Sequence, residues 1–384
     1  MAEAPMFADR PRLCVDLDAL RHNWQWVRSA CAGRQVGAVV KNDAYGLGVA
    51  AVVPLLWDQG CRDFWVASAD EALAVRACLP LEGVGRAARI WVLNGLAGSA
   101  PADFARQGLT PVLTGAHELA ALHGHAARHG GTRMPVGLHL DTGLTRLGFD
   151  GATLDALQTG SPLWADATPQ MWVTHLGRFH DPEAAQCQHQ RTRFLEWTGR
   201  LPAAPRSIAT SSSIFAGAHW HFEHARVGSA LWGVPTGGPD QPELRPVASL
   251  WAPVLRVAEV PAGTEVGYLG RYTTPGPRRI ATVAIGYGDG LPFGLVNQGQ
   301  LRLAGRAAPI VGGVAMGMVG VDVSAFAPEE IRPGMWAEVF GPQQRLQALA
   351  RDAGVAANVL LVLAARSAQR QYLAASVPVD EVVI

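Results

Sequence analysis

The sequence predicts an α/β protein: a TIM-type (β/α)8 barrel followed by a mostly β C-terminal domain. Three observations carry that expectation. Short apolar runs alternate with segments that have Leu and Ala at helical spacing over the first two-thirds of the chain. Eight such runs fall within about 200 residues, the number a closed parallel barrel needs. After about residue 240 the texture changes to β-like runs broken by Gly and Pro.

The eight runs are VGAVVK (36–41), FWVAS (64–68), RIWVLNG (89–95), LTPVLT (109–114), MPVGLHLDT (134–142), WVTHL (172–176), SIATSSS (207–213) and ARVGSALWG (225–233). Segments such as DEALAVRACL and AHELAALHGHAARHG lie between them. Strand and helix alternating in this way imply parallel strands with crossover helices. A doubly wound open sheet is the structural rival. No G-x-G-x-x-G follows the first strand, which disfavours a dinucleotide fold.

GGPDQPELRP reads as a linker. The expected division is a barrel over 1–240 and a mostly β domain over 241–384, with the first ~12 residues packing on the latter. The β-like runs WAPVLRVAEV, IATVAIGYG, QLRLAGRAAPIVGGVAM and MWAEVFG follow the linker. One late helix, PQQRLQALARDAG, ends at Gly354.

Composition excludes several classes of function. The 384 residues balance 32 basic against 32 acidic side chains, so no basic stripe points to nucleic acid. No apolar stretch approaches a membrane span. Five widely spaced cysteines without a C-x-x-C pair argue against a disulfide framework or a structural zinc site. The start, MAEAPMFADRPRL, lacks a basic region followed by an apolar core, so a reducing cytoplasm is expected. The histidine-rich stretches HGHAARHG and HWHFEH lack carboxylate or thiol partners at ligand spacing, and no metal is expected.

In a barrel, chemistry gathers at the carboxyl ends of the strands. That rule selects Lys41 after the first run, then His139, Asp141 and Arg146 around the end of the fifth. It selects His175 on the sixth, Ser211–Ser213 on the seventh, and Arg226 with Gly228 on the eighth. A lysine among apolar neighbours tends to lose its proton, and the neutral amine condenses with a carbonyl. The serines and the Gly228-Ser229 backbone offer hydroxyl and N–H donors for a phosphate. A Schiff-base lysine with a phosphate cup is what pyridoxal 5'-phosphate requires.

These segments resemble the bacterial alanine racemase family, a fold type III pyridoxal phosphate family. AVVKNDAYGLG resembles its cofactor signature, LHLDTGLTRLGF its D-T-G-x-x-R-x-G segment, and SIATSSSIFAG its phosphate-serine strand. ARVGSALWGV is similar to its R-x-G-x-x-x-x-G segment and VGYLGRY to its catalytic-tyrosine motif. The resemblance covers almost the whole chain. It implies interconversion of L- and D-alanine by a homodimer in which each active site is completed by the partner's β domain. By position, Lys41 would be the Schiff-base lysine and one base, and Tyr268, from the partner subunit, the other. Tyr45, Ser211, Gly228 and Ser229 would hold the phosphate. Arg146 would contact the phenolic oxygen and the substrate carboxylate, which the Met316 backbone N–H would also meet. Arg226 would face the pyridine nitrogen, with His175 behind it.

Several positions depart from the family pattern. GGVAMG stands where G-R-V-x-M-D is usual, so Gly313 and Gly317 replace an arginine and an aspartate. His139 stands where some members carry a lysine that buttresses Arg146. Asn358 aligns with a tyrosine that touches the phosphate and crowds the substrate side chain. The extra room and hydrogen-bonding capacity at Asn358 raise a serine or broad-specificity racemase as the alternative. A cofactor-binding protein with weak catalysis is a second alternative. The related decarboxylases are disfavoured because their C-x-x-x-D segment is missing from the second domain.

Overall fold

The computed structural model describes residues 9–31, 33–80, 88–158, 160–236 and 244–373. The chain forms two compact units, residues 21–44 with 48–245, and residues 1–20 with 45–47 and 246–384. The boundary expected at 240/241 lies outside the described residues.

The strands of the first half are β1 (Arg12–Asp16), β2 (Gln35–Val39), β3 (Asp63–Val66), β4 (Arg89–Val92), β5 (Thr110–Leu113), β6 (Met134–His139), β7 (Ala167–Val173), β8 (Arg206–Ser207) and β9 (His224–Val227). All but β1 build one sheet in the order β8-β7-β6-β5-β4-β3-β2-β9, paired in parallel throughout. The ends of that sheet meet. Arg226 N donates to the Ala209 carbonyl at 2.9 Å, and Ser207 Oγ to the His224 carbonyl at 2.8 Å. This is the predicted barrel, and its strands read as apolar runs because both faces are buried.

Two indoles fill much of its interior. Trp65 and Trp91 stack with centroids 4.8 Å apart and planes 8° from parallel, against Val112, Met171 and Val173. Gly37 on β2 makes the room. A Cβ there would lie 2.8 Å from Trp65 Cδ1 and 2.9 Å from His224 Cε1, closer than side chains pack.

Several expected strands are shorter than their apolar runs. The seventh strand is Arg206–Ser207, so only Ser207 of its run is extended, and Ser213–Phe215 is a short 3₁₀ turn. His175, expected on the sixth, lies just beyond the end of β7. The polar residues that close these runs belong to the loops after the strands.

The second unit is mostly β. Its strands are β10 (Ala248–Val260), β11 (Glu265–Val266), β12 (Tyr272–Thr273), β13 (Arg278–Val283), β14 (Gln300–Leu303), β15 (Arg306–Val311), β16 (Val319–Asp322), β17 (Trp336–Phe340) and β18 (Gln369–Leu373). Eight strands form the sheet β13-β16-β15-β14-β17-β10-β1-β18. At 13 residues, β10 pairs with β1 and β17 along its first half and with β13 along its second, with a register break between Val254 and Arg256. That break bends the strand and folds the sheet back on itself.

The expected late helix is Leu346–Asp352, followed by Gly354 at φ 67°. A second helix, Ala357–Ala364, follows where only one was expected, at 105° to the first. Among the described residues, no single helix is long and apolar enough to cross a membrane.

Candidate active site

The backbone after β2 takes an uncommon path. Val40 N still bonds the Trp65 carbonyl at 2.9 Å, which holds the chain in the sheet up to Lys41. Asn42, Asp43, Ala44 and Tyr45 then take φ of 52°, 53°, 55° and 58°. Four consecutive L-residues in the left-handed region cost on the order of 1–2 kcal/mol each. Side chains from the barrel fasten the turn. Glu71 accepts from Asn42 N at 2.9 Å and from Ala67 N at 2.7 Å, and Asp43 accepts from Val49 N at 2.8 Å. The strain fixes the direction in which Lys41 leaves the strand.

Lys41 is held below the ordinary lysine range by burial first and by the Arg146 charge second, against the opposing pull of Glu71. The loop that carries Arg146 is built on Asp141, whose Oδ1 accepts from the N–H groups of Gly143, Leu144 and Thr145 at 3.0–3.1 Å. It returns to β6 at Gly148, at φ 122°, where a Cβ would sit 2.6 Å from His139 Nδ1. Only glycine allows that approach. His139 is buried with Nδ1 unpartnered and is pushed down to about 4 by burial, then by Arg226 and Arg146. His175 lies well below the ordinary imidazole range for the same reasons, with His139 and Lys41 adding to the effect. Lys41, His139, Arg146, His175 and Arg226 therefore share one field.

Arg226 on β9 is buried. Nη1 donates to the Ser207 carbonyl and hydroxyl, and Nη2 to the Thr174 carbonyl at 2.6 Å. Burial brings the guanidinium down to about 9, with Arg146 contributing, so it stays charged at neutral pH. Beside it, Ser211 Oγ accepts from Gly228 N at 3.1 Å and Ala230 N at 3.2 Å. Ser229 is buried, and so is Ser212, whose Oγ has no partner.

These residues fit pyridoxal phosphate. An amine with a loosened proton, a cationic field and orphaned buried polar atoms at His139 and Ser212 match an anionic carbonyl compound that brings its own donors and acceptors.

The remaining expected residues belong to the second unit. Burial pushes the Tyr45 hydroxyl up to about 12. The adjoining Leu47 carbonyl accepts from Tyr372 Oη at 3.0 Å. Tyr268 and Met316 are exposed, at 74% and 66%, on loops that meet near Gly313. Tyr287 N and Gly288 N donate to the Ala315 and Met316 carbonyls at 3.0 and 2.8 Å and tie the Met316 loop to that turn. A Cβ at Gly317 would meet nothing within 4 Å, so the missing aspartate leaves open space rather than a filled one. Asn358 lies in the first turn of the helix Ala357–Ala364, half-buried.

Residue-type reasoning passed over two supporting side chains. Glu71 has the role described above. Gln190, buried on the helix Ala185–Thr198, donates to the His175 carbonyl at 2.9 Å and to Thr142 Oγ1 at 3.3 Å, and accepts from Gly177 N at 2.8 Å. Nothing in a mid-helix glutamine signals this beforehand.

The histidine-rich stretches serve packing. His125 stacks on His129 at 4.1 Å, and His221 Nε2 bonds the Ile214 carbonyl at 2.8 Å. Among the described residues, no group of three His, Cys, Asp or Glu could hold a metal ion.

Comparison with known proteins agrees with this geometry. The family model "Alanine racemase, N-terminal domain" matches residues 15–236, and "Alanine racemase, C-terminal domain" matches residues 247–372. The alanine racemase of Methylobacterium sp. (strain 4-46) is 38% identical over 365 residues, covering 94% of this chain and 97% of that one. That of Rhodospirillum rubrum is 38% identical over 361 residues, covering 93% and 95%. The crystal structure of alanine racemase from Bartonella henselae with covalently bound pyridoxal phosphate superposes with a TM-score of 0.89 at 30% identity, covering 95% of this chain and 99% of that one. Biosynthetic alanine racemase from Pseudomonas aeruginosa superposes at 0.86, also at 30% identity, covering 95% and 100%.

Proposed function

Because this chain belongs to the alanine racemase family, we propose that it is a pyridoxal-phosphate-dependent isomerase that interconverts L- and D-alanine. The observation that carries the reading is Lys41, a partly buried amine with a weakened hold on its proton, set on a strained turn beside a cationic field.

Bound pyridoxal phosphate supplies the electron sink that makes the α-proton of an attached amino acid labile. The chain's residues then divide the work. Lys41 and Tyr268 are the two bases, one for each face of the α-carbon, because racemisation removes a proton from one side and returns it to the other. Lys41 can accept a proton because burial favours its neutral form. Tyr45, Ser211, Gly228 and Ser229 hold the phosphate. Arg146 holds the phenolic oxygen and, with the Met316 N–H, the substrate carboxylate. Arg226 would face the pyridine nitrogen, with His175 behind it, and as a group still charged at neutral pH it would leave that nitrogen unprotonated. Asn358 stands at the substrate side chain. The domains expected at 1–240 and 241–384 divide accordingly between holding the cofactor and supplying Tyr268, Met316 and Asn358.

We infer a homodimer in the cytoplasm. Tyr268, Leu269 and Met316 expose large apolar side chains at 74%, 84% and 66%, as a surface awaiting a partner does. All five cysteines are free, which suits a reducing compartment.

The test is purification followed by absorbance and chirality measurements. The reading expects a visible band from lysine-bound cofactor, lost in Lys41→Ala, and D-alanine formed from L-alanine. A band that survives Lys41→Ala refutes the assignment of Lys41. A band without turnover makes the chain a cofactor-binding protein.

A further inference from the structure

The second unit contains a pocket of about 290 Å³ that is independent of every residue named above as part of the active site. Three adjacent strands form its floor. Glu338 on β17 is directly opposite Trp251 on β10 and Arg302 on β14, so the three side chains form a row across one face of the sheet. Trp336, two residues before Glu338, shares that face and forms a wall, and Met335 and Gln343 are among the other lining residues.

The charges in this row are unusual. Glu338 is 1% exposed. Its Oε1 accepts from Gln343 N at 2.9 Å and Gln344 N at 2.8 Å, while Oε2 has no partner. Arg302 Nε is likewise buried and unpartnered. Direct cross-strand neighbours of opposite charge ordinarily pair, yet no ion pair joins these two. A buried polar atom left unmatched is costly, so each calls for a partner. Burial raises the Glu338 carboxyl above the ordinary glutamate range, against the pull of the two amides and Arg302.

We propose that this pocket binds a small zwitterion with an ammonium for Glu338 Oε2 and a carboxylate for Arg302 Nε, the charge pattern of a free α-amino acid. A cation alone leaves Arg302 Nε unmatched, and an anion alone leaves Glu338 Oε2 unmatched. A zwitterion satisfies both and adds no net charge to the sheet. Trp251 brings an indole to the same lining, while the ring of Trp336 already carries the Arg12 guanidinium 4.4 Å from its centroid.

The experiment is calorimetric titration of the cofactor-loaded protein with N,N-dimethylglycine. Its tertiary amine cannot condense with a carbonyl, so binding is read apart from any racemase chemistry. One saturable site is expected, weakened at least tenfold by Glu338→Gln and by Arg302→Gln and unchanged by Lys41→Ala. On the unaltered chain, methylammonium and acetate should each bind at least tenfold more weakly than the zwitterion, a comparison that needs no variant to fold. Absence of saturable binding overturns the proposal. So does equal affinity for methylammonium, or binding that both Glu338→Gln and Arg302→Gln leave intact.

Discussion

Arg226 Nη1 donates to both the carbonyl and the hydroxyl of Ser207, at 2.7 and 2.6 Å, across the seam where the last barrel strand meets the one before it. The two-residue strand at Ser207 is too short to close the ring by its own ladder. The guanidinium adds bonds there and also reaches the Thr174 carbonyl. Arg226→Met therefore leaves three buried acceptors without this donor. Bonds to a charged donor contribute about 1.5–3 kcal/mol each, and the surroundings relax only in part, so a loss of about 3 kcal/mol is expected in urea unfolding. A loss below about 1 kcal/mol would show that the backbone bonds close the seam alone.

Tyr268→Phe keeps the ring and removes only the proton carrier. Loss of one general base lowers kcat by about 10²–10⁴, with KM little changed. Exchange of the α-proton for deuterium from solvent should persist for one enantiomer of alanine and cease for the other. Equal slowing for both enantiomers would assign Tyr268 to a role other than base.

Asn358→Tyr should shift the preference toward alanine over serine, because it removes space and a hydrogen-bonding amide. A single polar contact changes discrimination by roughly tenfold or more, and the ratio of kcat/KM for the two substrates measures it. An unchanged ratio would remove Asn358 from the substrate side.

Gly317→Asp tests the open position on the Met316 loop. Its Cβ meets nothing, so the change should leave the thermal unfolding midpoint within about 2 °C while altering KM for alanine. A large fall in stability with unchanged KM would contradict the assignment of this loop to the substrate carboxylate.

Stability should fall as pH drops through the histidine range. His139 has a folded pKa of about 4, below the ordinary imidazole value of 6.5, so the fold binds fewer protons than the unfolded chain between those values. Its stabilising contribution is complete above pH 6.5 and declines as pH falls toward 4. Each unit is worth about 1.4 kcal/mol, so lowering the pH from 7 to 5 should cost about 2 kcal/mol more in the native chain than in His139→Gln. Equal losses in the two proteins would place His139 in a more polar setting.

The barrel was largely legible because strands buried on both faces read as unbroken apolar runs. The ends were overread where polar loop residues such as Ser211 followed without a break. β1 was missed because Arg12–Asp16 is short and its antiparallel partner, β10, lies more than 200 residues away in sequence. The helix Ala357–Ala364 was missed because ANVLLVLA is apolar nearly all round and shows no helical face. At the site, ionisable residues after strands could be picked out, since chemistry at a barrel mouth follows a positional rule. Gln190 could not, because its role depends on two loops, after β6 and β7, that only folding brings to its helix.

The left-handed turn after Lys41 depends on the barrel around it. Asn42 and Asp43 tolerate such angles, but Ala44 and Tyr45 adopt them only under duress. A segment that is uphill on its own keeps this shape only while Glu71 and the neighbouring strand hold it. The reactive amine is thus mounted on a piece of chain that only a finished barrel can hold in place.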